Sequence, residues 1–181
     1  METHNKQKLL ELIKEKAVFK GKFTLSSGKE SSYYIDLRLV TLSSEGAYRI
    51  SNVFFDILKD SDVDAVGGLT LGADPIAAAI AATSFSRGKP ISAFIVRKEE
   101  KKHGKGKQIE GPLPRNSKVA VVDDVATSGD SLLKAIDALK KEGHSVVKIM
   151  AIVDREEGAK ENLAKAGYKL ECIYGKKDLG I

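Results

Sequence analysis

Three stretches of this chain, ISAFIVR at 91–97, KVAVV at 118–122 and VVKIMAIV at 146–153, are nearly continuous in Val, Ile, Ala and Phe. A strand with one wet face alternates apolar and polar side chains. A near-continuous run instead says that both faces are covered, as in a parallel sheet with helices on each side. The intervening segments meet that condition: DPIAAAIAATSFS at 74–86 and GDSLLKAIDALKKEG at 129–143 read as helices, and DAVGGL at 64–69 as a further strand. The pattern predicts an α/β layered fold. Residues 156–167 and YKLECIY at 168–174 add one more helix and a last strand, and Gly143 is placed to close the preceding helix in a left-handed conformation.

The first sixty residues follow another rhythm. Leu9, Leu10, Leu12, Ile13 and Ala17 recur at helical spacing and predict a helix over 4–17. FTLSSGKESSYYIDLR at 23–38 reads as two short extended runs around a Ser-Gly turn, a hairpin. A second helix is predicted over 43–59, with Ala47, Ile50, Val53, Phe54, Ile57 and Leu58 on one face. At 181 residues the chain has the length of one domain. The N-terminus lacks the apolar centre of a signal peptide, and no stretch approaches a membrane span. The lone Cys172 excludes an internal disulfide or a multi-cysteine metal site and is expected to pack. These features predict a cytoplasmic protein with no membrane partner. The net charge of +5 favours anionic partners without choosing among nucleic acid, lipid and phosphorylated small molecules.

The chemistry concentrates beyond the carboxyl ends of the predicted strands, where open α/β sheets bind ligands. In VAVVDDVATSGDSL at 119–132 a strand delivers Asp123 and Asp124, then Val125 and Ala126, and then a small turn of Thr127, Ser128, Gly129, Asp130 and Ser131 opens a helix. Free amides and hydroxyls at a helix start suit a phosphate monoester. Two carboxylates would repel that phosphate, so they fit neutral hydroxyls one step along the same ligand, or its metal. A sugar phosphate satisfies both halves. A single Asp here would be a turn residue and Ser128 a helix cap; the whole pattern favours a ligand. A second glycine-rich turn, GGLTLGADP at 67–75, matches neither the P-loop nor the dinucleotide fingerprint and serves equally for close packing.

Residues 97–116 have no apolar period and are too long for a plain connector. Arg97, Lys98, Lys101, Lys102, Lys105 and Lys107, with His103, outweigh Glu99 and Glu100, and Gly104 and Gly106 permit movement. Alone, such a run reads as a solvated loop or a nucleic-acid patch; beside a phosphate turn it reads as a set of cations for a leaving pyrophosphate. His4 and His144 are expected at the surface. Arg155 follows a strand end, where an arginine is either an exposed ion-pair partner or a fork for a planar anion. Tyr33 and Tyr34 alternate, so one of them is expected in the core and the other as a wall.

VVDDVATSGDSL resembles the phosphoribosyl pyrophosphate (PRPP) signature of the type I phosphoribosyltransferases. RKEEKKHG at 97–104 resembles the catalytic loop of their orotate-using branch, and FTLSSGKESSYYIDLR and DREEG at 154–158 match that branch in the same order. The resemblance implies a Rossmann-like parallel-sheet core in one domain, 1–181, with a small hood from roughly residues 1–40 and C-terminal elements, and a mobile catalytic loop at 97–116. It implies transfer of 5-phosphoribosyl from PRPP to orotate, giving orotidine 5′-monophosphate and pyrophosphate, with Mg²⁺ carried on the pyrophosphate rather than in a protein metal site. Lys101, Asp123 and Asp124 are then catalytic. PRPP is held by Arg97, Lys98, Lys101 and His103 and by residues 123–131, and orotate by Thr127 and Arg155. A homodimer sharing the loop follows, with no nucleic-acid partner. Two departures stand out: Ser26 and Gly72 occupy positions where many bacterial members carry lysine. The competing readings are a purine or uracil transferase, and a PRPP-sensing, nucleic-acid-binding regulator with a helix-turn-helix before the core.

Overall fold

The computed structural model describes residues 2–24, 28, 30–99 and 107–181. Helix α1 (Glu2–Lys16) leads into a hairpin of β1 (Val18–Thr24) and β2 (Glu30–Ile35), a single turn α2 (Arg38–Thr41) and helix α3 (Ser44–Leu58). Strands and helices then alternate: β3 (Ala65–Leu69), α4 (Ala73–Ser86), β4 (Ser92–Val96), the short β5 (Ile109–Glu110), β6 (Lys118–Ala126), α5 (Asp130–Lys141), β7 (Ser145–Asp154), α6 (Ala159–Lys165), β8 (Leu170–Gly175) and α7 (Lys176–Leu179).

Among the described residues the main sheet runs β5-β4-β3-β6-β7-β8, parallel except where β5 lies antiparallel to β4. Its apolar runs are explained by period-two burial. Val119 and Val121 join Ile149 and Ala151 in a layer under Leu132, Ile136 and Leu139 of α5 and Leu163 of α6. Ala120 and Val122 join Met150 and Ile152 in the opposite layer, with Ile50 and Phe54 of α3, Ile76 and Ile80 of α4, and Leu9 and Ile13 of α1. Burying each Val or Ile side chain contributes roughly 1.5–3 kcal/mol, so neither face of β6 tolerates water. The helices divide between the faces because the connections diverge. From β3 the chain crosses by α4 to β4, and from β6 it crosses by α5 to β7 on the other side. β3 and β6 are neighbours, so their carboxyl ends form the switch point of the sheet.

Unequal strand lengths open that point. β3 and β6 pair only as far as Gly67 and Val121, whereas β6 and β7 pair on to Ala126 and Asp154. The last five residues of β6 thus project beyond β3 while β7 still supports them. The strand is longer than its apolar run predicts, because the polar Asp123 and Asp124 continue the ladder with β7.

Other differences are local. The helix expected from 156 starts at Ala159, because Glu156 and Gly158 adopt positive φ (54° and 105°) and turn the chain first. The turns α2 and α7 and the strand β5 carry no readable period. β5 forms within the segment expected to be loop. His144, expected at the surface, is buried. Gly143 does take the left-handed conformation (φ 85°), donating its N–H to Lys140 O while the His144 N–H reaches back to Leu139 O. That helix-end motif folds the residue after the glycine in against the last turn, which is why the histidine is covered.

Glycine is required at the seam: a Cβ on Gly68 would lie 2.2 Å from the Val122 carbonyl oxygen and 2.8 Å from the Ala73 Cβ. Backbone cannot yield there without parting β3 from β6. Gly68→Ala is expected to cost about 1–3 kcal/mol, read as a lower urea midpoint at unchanged slope. An unaltered midpoint would show that the seam has slack.

Candidate functional site

The carboxylates of Asp123 and Asp124 emerge where β6 outruns β3. Asp123 Oδ1 accepts the Asp124 N–H at 3.0 Å, and Asp124 Oδ1 accepts the Val125 N–H at 2.8 Å, so the backbone of their own strand orients both. Each leans over the turn between β3 and α4. A Cβ at Gly72 would stand 2.7 Å from an oxygen of each acid, so the glycine there makes room for the pair. Thr70 closes the same turn by donating its hydroxyl to Asp74 Oδ2 at 2.6 Å. Asp123 is buried, and burial first and the Asp124 charge second push its carboxyl well above the ordinary value of 3.8.

The acids floor a cleft of about 370 Å³ whose walls include Asp36 and Arg38 after β2, the turn at Thr70–Gly72, Lys98 after β4, Thr127, Ser131 and Arg155. A smaller hollow of about 70 Å³ adjoins it, walled by Asp123 and residues 125–131. Gly129 caps α5 in a left-handed conformation (φ 85°, ψ 2°), which turns the chain sharply enough for the hydroxyls and the unpaired first-turn amides of α5 to line one concavity. Asn162 of α6 fixes this turn from outside by donating Nδ2–H to the Ser128 carbonyl at 2.9 Å.

The opposite end of the cleft is built around Arg155. Its N–H bonds Ala126 O at 2.9 Å, so β6 and the end of β7 position it together. The side chain is buried beneath Tyr33, with the guanidinium carbon 5.1 Å from the ring centre; Nη2 lies 2.9 Å from Glu157 Oε1 and 3.5 Å from the Tyr33 hydroxyl. Tyr33 Oη in turn donates to Glu157 Oε1 at 3.3 Å. Arg155 Nε is buried with no acceptor, a donor oriented by its neighbours and left unused by them. An anionic, planar acceptor would satisfy it. Tyr34 lies on the outer side of the hairpin against Phe19 and Phe23 and lines neither cavity, so the alternation holds, with Tyr33 as the inner one, but the outer tyrosine is not the expected wall.

The structure therefore brings Lys98, Asp123, Asp124, Thr127, Ser131 and Arg155 to one cleft, with Val125, Ala126, Ser128, Gly129 and Asp130 around the adjoining hollow. Arg97 is not among the lining residues; its guanidinium lies 3.9 Å from Glu110 of β5. Lys101, His103 and Ser26 lie outside the described residues. Asp36, Arg38, Glu157 and Asn162 escaped the sequence reading. Only the first two left a signal, an Asp-x-Arg directly after a predicted strand. Among the described residues no three His, Cys, Asp or Glu side chains gather to hold a metal ion. Two adjacent carboxylates do suit a magnesium ion that completes its shell with phosphate oxygens and water. Among the described residues no helix is long and apolar enough to cross a membrane.

Residues 47–176 match the family described as the phosphoribosyl transferase domain. The chain is 47% identical over 174 residues to the orotate phosphoribosyltransferase of Streptomyces avermitilis, covering 96% of each protein. It is also similar to the crystal structure of Mycobacterium tuberculosis H37Rv orotate phosphoribosyltransferase with Fe(III) dicitrate (TM-score 0.87, 41% identity, 98% of this chain and 99% of that one). The same enzyme in complex with PRPP superposes with a TM-score of 0.83 at 38% identity, over 98% and 99% of the two chains.

The raised pKa of Asp123 has a sign. The folded chain holds this proton more tightly than the unfolded one, so the associated stability is present below the ordinary carboxylate range and is lost as pH rises through the folded value. Asp123→Asn, which removes the charge and keeps the shape, is expected to raise the Tm at pH values above the folded titration and to flatten its decline as pH rises from the ordinary carboxylate value. Each kcal/mol regained corresponds to roughly 2–4 °C in a chain of this size. A lower Tm across the whole range would mean that the carboxylate stabilises the fold.

Proposed function

The chain belongs to the orotate phosphoribosyltransferases, and from that membership we propose a division of labour within its cleft. The reaction transfers the 5-phosphoribosyl group of PRPP to orotate and releases orotidine 5′-monophosphate and pyrophosphate. One observation carries the assignment of residues: an acid pair and a hollow walled by the turn at 127–131 adjoin at the switch point of the sheet, with Asp123 lining both.

In this reading the turn at 127–131 takes the 5′-phosphate, where unpaired amides and the positive end of α5 favour an anion. Asp123 and Asp124 accept hydrogen bonds from the ribose 2′ and 3′ hydroxyls. Those donors favour the ionised form of Asp123, which burial and the Asp124 charge oppose. As the bond from the anomeric carbon to pyrophosphate lengthens, positive charge grows on the ribose, and the nearby carboxylates stabilise that charge more than the neutral ground state. The electron pair of the breaking bond leaves with pyrophosphate, and a nitrogen lone pair of orotate makes the new bond to the same carbon. Arg155, with its unused Nε–H under Tyr33, holds orotate, and Thr127 lies at the junction of base and sugar. Mg²⁺ carried on the pyrophosphate, with Asp123 and Asp124 the residues that would help to hold it, would neutralise charge on the leaving group. Arg97, Lys98, Lys101 and His103 serve that group too, with Lys101 as the catalytic cation; for Lys101 and His103 this rests on the resemblance of RKEEKKHG.

The first forty residues and the C-terminal elements act as a hood over a single core in 1–181. Its support is the packing of Tyr33 from the hairpin against Arg155 and, at 5.2 Å, against Lys176 of α7. A homodimer accords with Leu42, Tyr48 and Phe85, large apolar side chains left exposed on and beside α3 and α4. A cytoplasmic setting belongs to the same reading. The regulator alternative needs two packed helices ahead of the core, whereas α1 is followed directly by the hairpin.

Incubation with PRPP and Mg²⁺ is expected to convert orotate to orotidine 5′-monophosphate, with uracil, adenine and hypoxanthine left unchanged; preference for another base would overturn the assignment. Arg155→Ala is expected to raise the KM for orotate roughly 10- to 100-fold, the loss of a charge-assisted pair, with little change in the KM for PRPP. Lys101→Ala is expected to lower kcat by about 100-fold or more at unchanged Tm, and an unchanged rate would remove that loop from the chemistry.

A further inference from the structure

Three cations line the cleft among the described residues: Arg38, Lys98 and Arg155. Arg155 is committed to Glu157 and Tyr33 at the base end. Asp36, Asp123 and Asp124 face the same space, so the lining has no surplus of positive charge with which to receive a pyrophosphate. The turn at Thr70–Gly72 adds no cation, and a Cβ on its glycine would stand 2.7 Å from an oxygen of each acid.

Arg38 is prepared for an anion in a way that stability does not explain. Nε donates to Asp36 Oδ1 at 2.8 Å and Nη2 to Asp36 Oδ2 at 2.9 Å, a two-pronged pair, and the Arg38 N–H also bonds Asp36 Oδ1 at 3.1 Å. Asp36 is tied through its own N–H to Ala17 O at 2.9 Å. The guanidinium is therefore held by one edge, and both N–H groups of Nη1 and the second N–H of Nη2 remain for another partner. With the arginine side chain 52% exposed, such a pair adds little to folding, so its consequence is orientation. Arg38 lines the same cleft as Asp124 and the Thr70–Gly72 turn and is absent from the hollow at 125–131. The charge of Asp124 also favours the protonated guanidinium, behind those of Asp36 and Tyr34. A fork fixed in this way loses less freedom on meeting a phosphate than a lysine does.

We propose that Arg38, oriented by Asp36, binds the pyrophosphate of PRPP across the cleft from the 5′-phosphate turn, and that it supplies the positive charge which the Thr70–Gly72 turn lacks. This rests on the phosphoribosyl-transfer reading given above. It makes Asp36 a positioning residue and Arg38 a substrate contact belonging to the sheet-anchored part of the hood.

The test uses the full chain with Mg²⁺, orotate and PRPP, together with inhibition by inorganic pyrophosphate. Arg38→Ala is expected to raise the KM for PRPP and the inhibition constant of pyrophosphate by roughly 10- to 100-fold, with the KM for orotate held within about threefold and the Tm unchanged. Arg38→Lys should recover only part of the loss, because it restores charge without the fork. Asp36→Asn should weaken pyrophosphate inhibition less than Arg38→Ala does. Unchanged PRPP and pyrophosphate constants in Arg38→Ala overturn the proposal, as does a loss confined to the KM for orotate, which would move Arg38 to the acceptor. If the wild-type chain forms no orotidine 5′-monophosphate, the transfer reading fails. Calorimetric titration of the wild-type and Arg38→Ala chains with magnesium pyrophosphate then still decides the role of Arg38: tenfold weaker binding by the variant supports it, and equal binding overturns it.

Discussion

Everything in the cleft depends on two carboxylates being held side by side at a place where burial and mutual repulsion both oppose it. Asp123 and Asp124 are adjacent on one strand, and Asp123 is almost wholly covered. The sheet resolves the conflict through strand length. β3 stops pairing with β6 at Gly67, and β6 runs on to Ala126 with β7 as its support. The acids are therefore fixed by a ladder on one side and open to a ligand on the other. Neighbouring features follow from the same constraint. Gly72 leaves the acids the room that a Cβ would take from them, and Gly68 must lack a side chain because β3 and β6 approach so closely just below.

Much of this was legible in the sequence because each signal there is local. Continuous apolar runs report coverage of both sheet faces, and the two core layers divide β6 and β7 residue by residue as such runs require. The step from VAVV through two acids to a small hydroxyl-rich turn spells out strand, switch point and helix start within fourteen residues. What stayed hidden depends on contacts between segments far apart in the chain. Asn162 is an unremarkable polar residue on a short helix until its amide is found on the Ser128 carbonyl. Glu157 pairs with Arg155 two positions away, but its bond to Tyr33 spans 124 positions. His144 was misread because a helix-end motif is visible at its glycine but not in the direction it sends the next side chain.

The base end shows how a polar group is kept ready without being satisfied. Arg155 meets a carboxylate, a phenol and an aromatic face, yet its Nε–H has no acceptor. A buried donor left unpaired costs roughly 1–3 kcal/mol, and it persists because the surrounding contacts leave the guanidinium no other orientation. A ligand with an acceptor at that point recovers the cost on binding. A ligand of the same shape without one leaves it in place, so discrimination among planar bases follows from the unpaired donor itself.

The two kinds of charge in the cleft are mounted differently, and the chemistry gives a reason. The acids belong to β6, inside the hydrogen-bonded sheet, whereas Arg38, Lys98 and Arg155 each follow the end of a strand, after β2, β4 and β7. A carboxylate that faces the ribose must hold its place throughout the reaction, because the sugar stays anchored while charge develops on it. Pyrophosphate is the group that departs, and orotate the group that arrives. In the proposed reading the cations that meet them stand at strand ends, Arg38 and Lys98 past the ladder and Arg155 still tied to β6 through its N–H to Ala126 O. Arg38 combines the two demands: its place on a strand end gives it reach, and its pairing with Asp36 gives it direction.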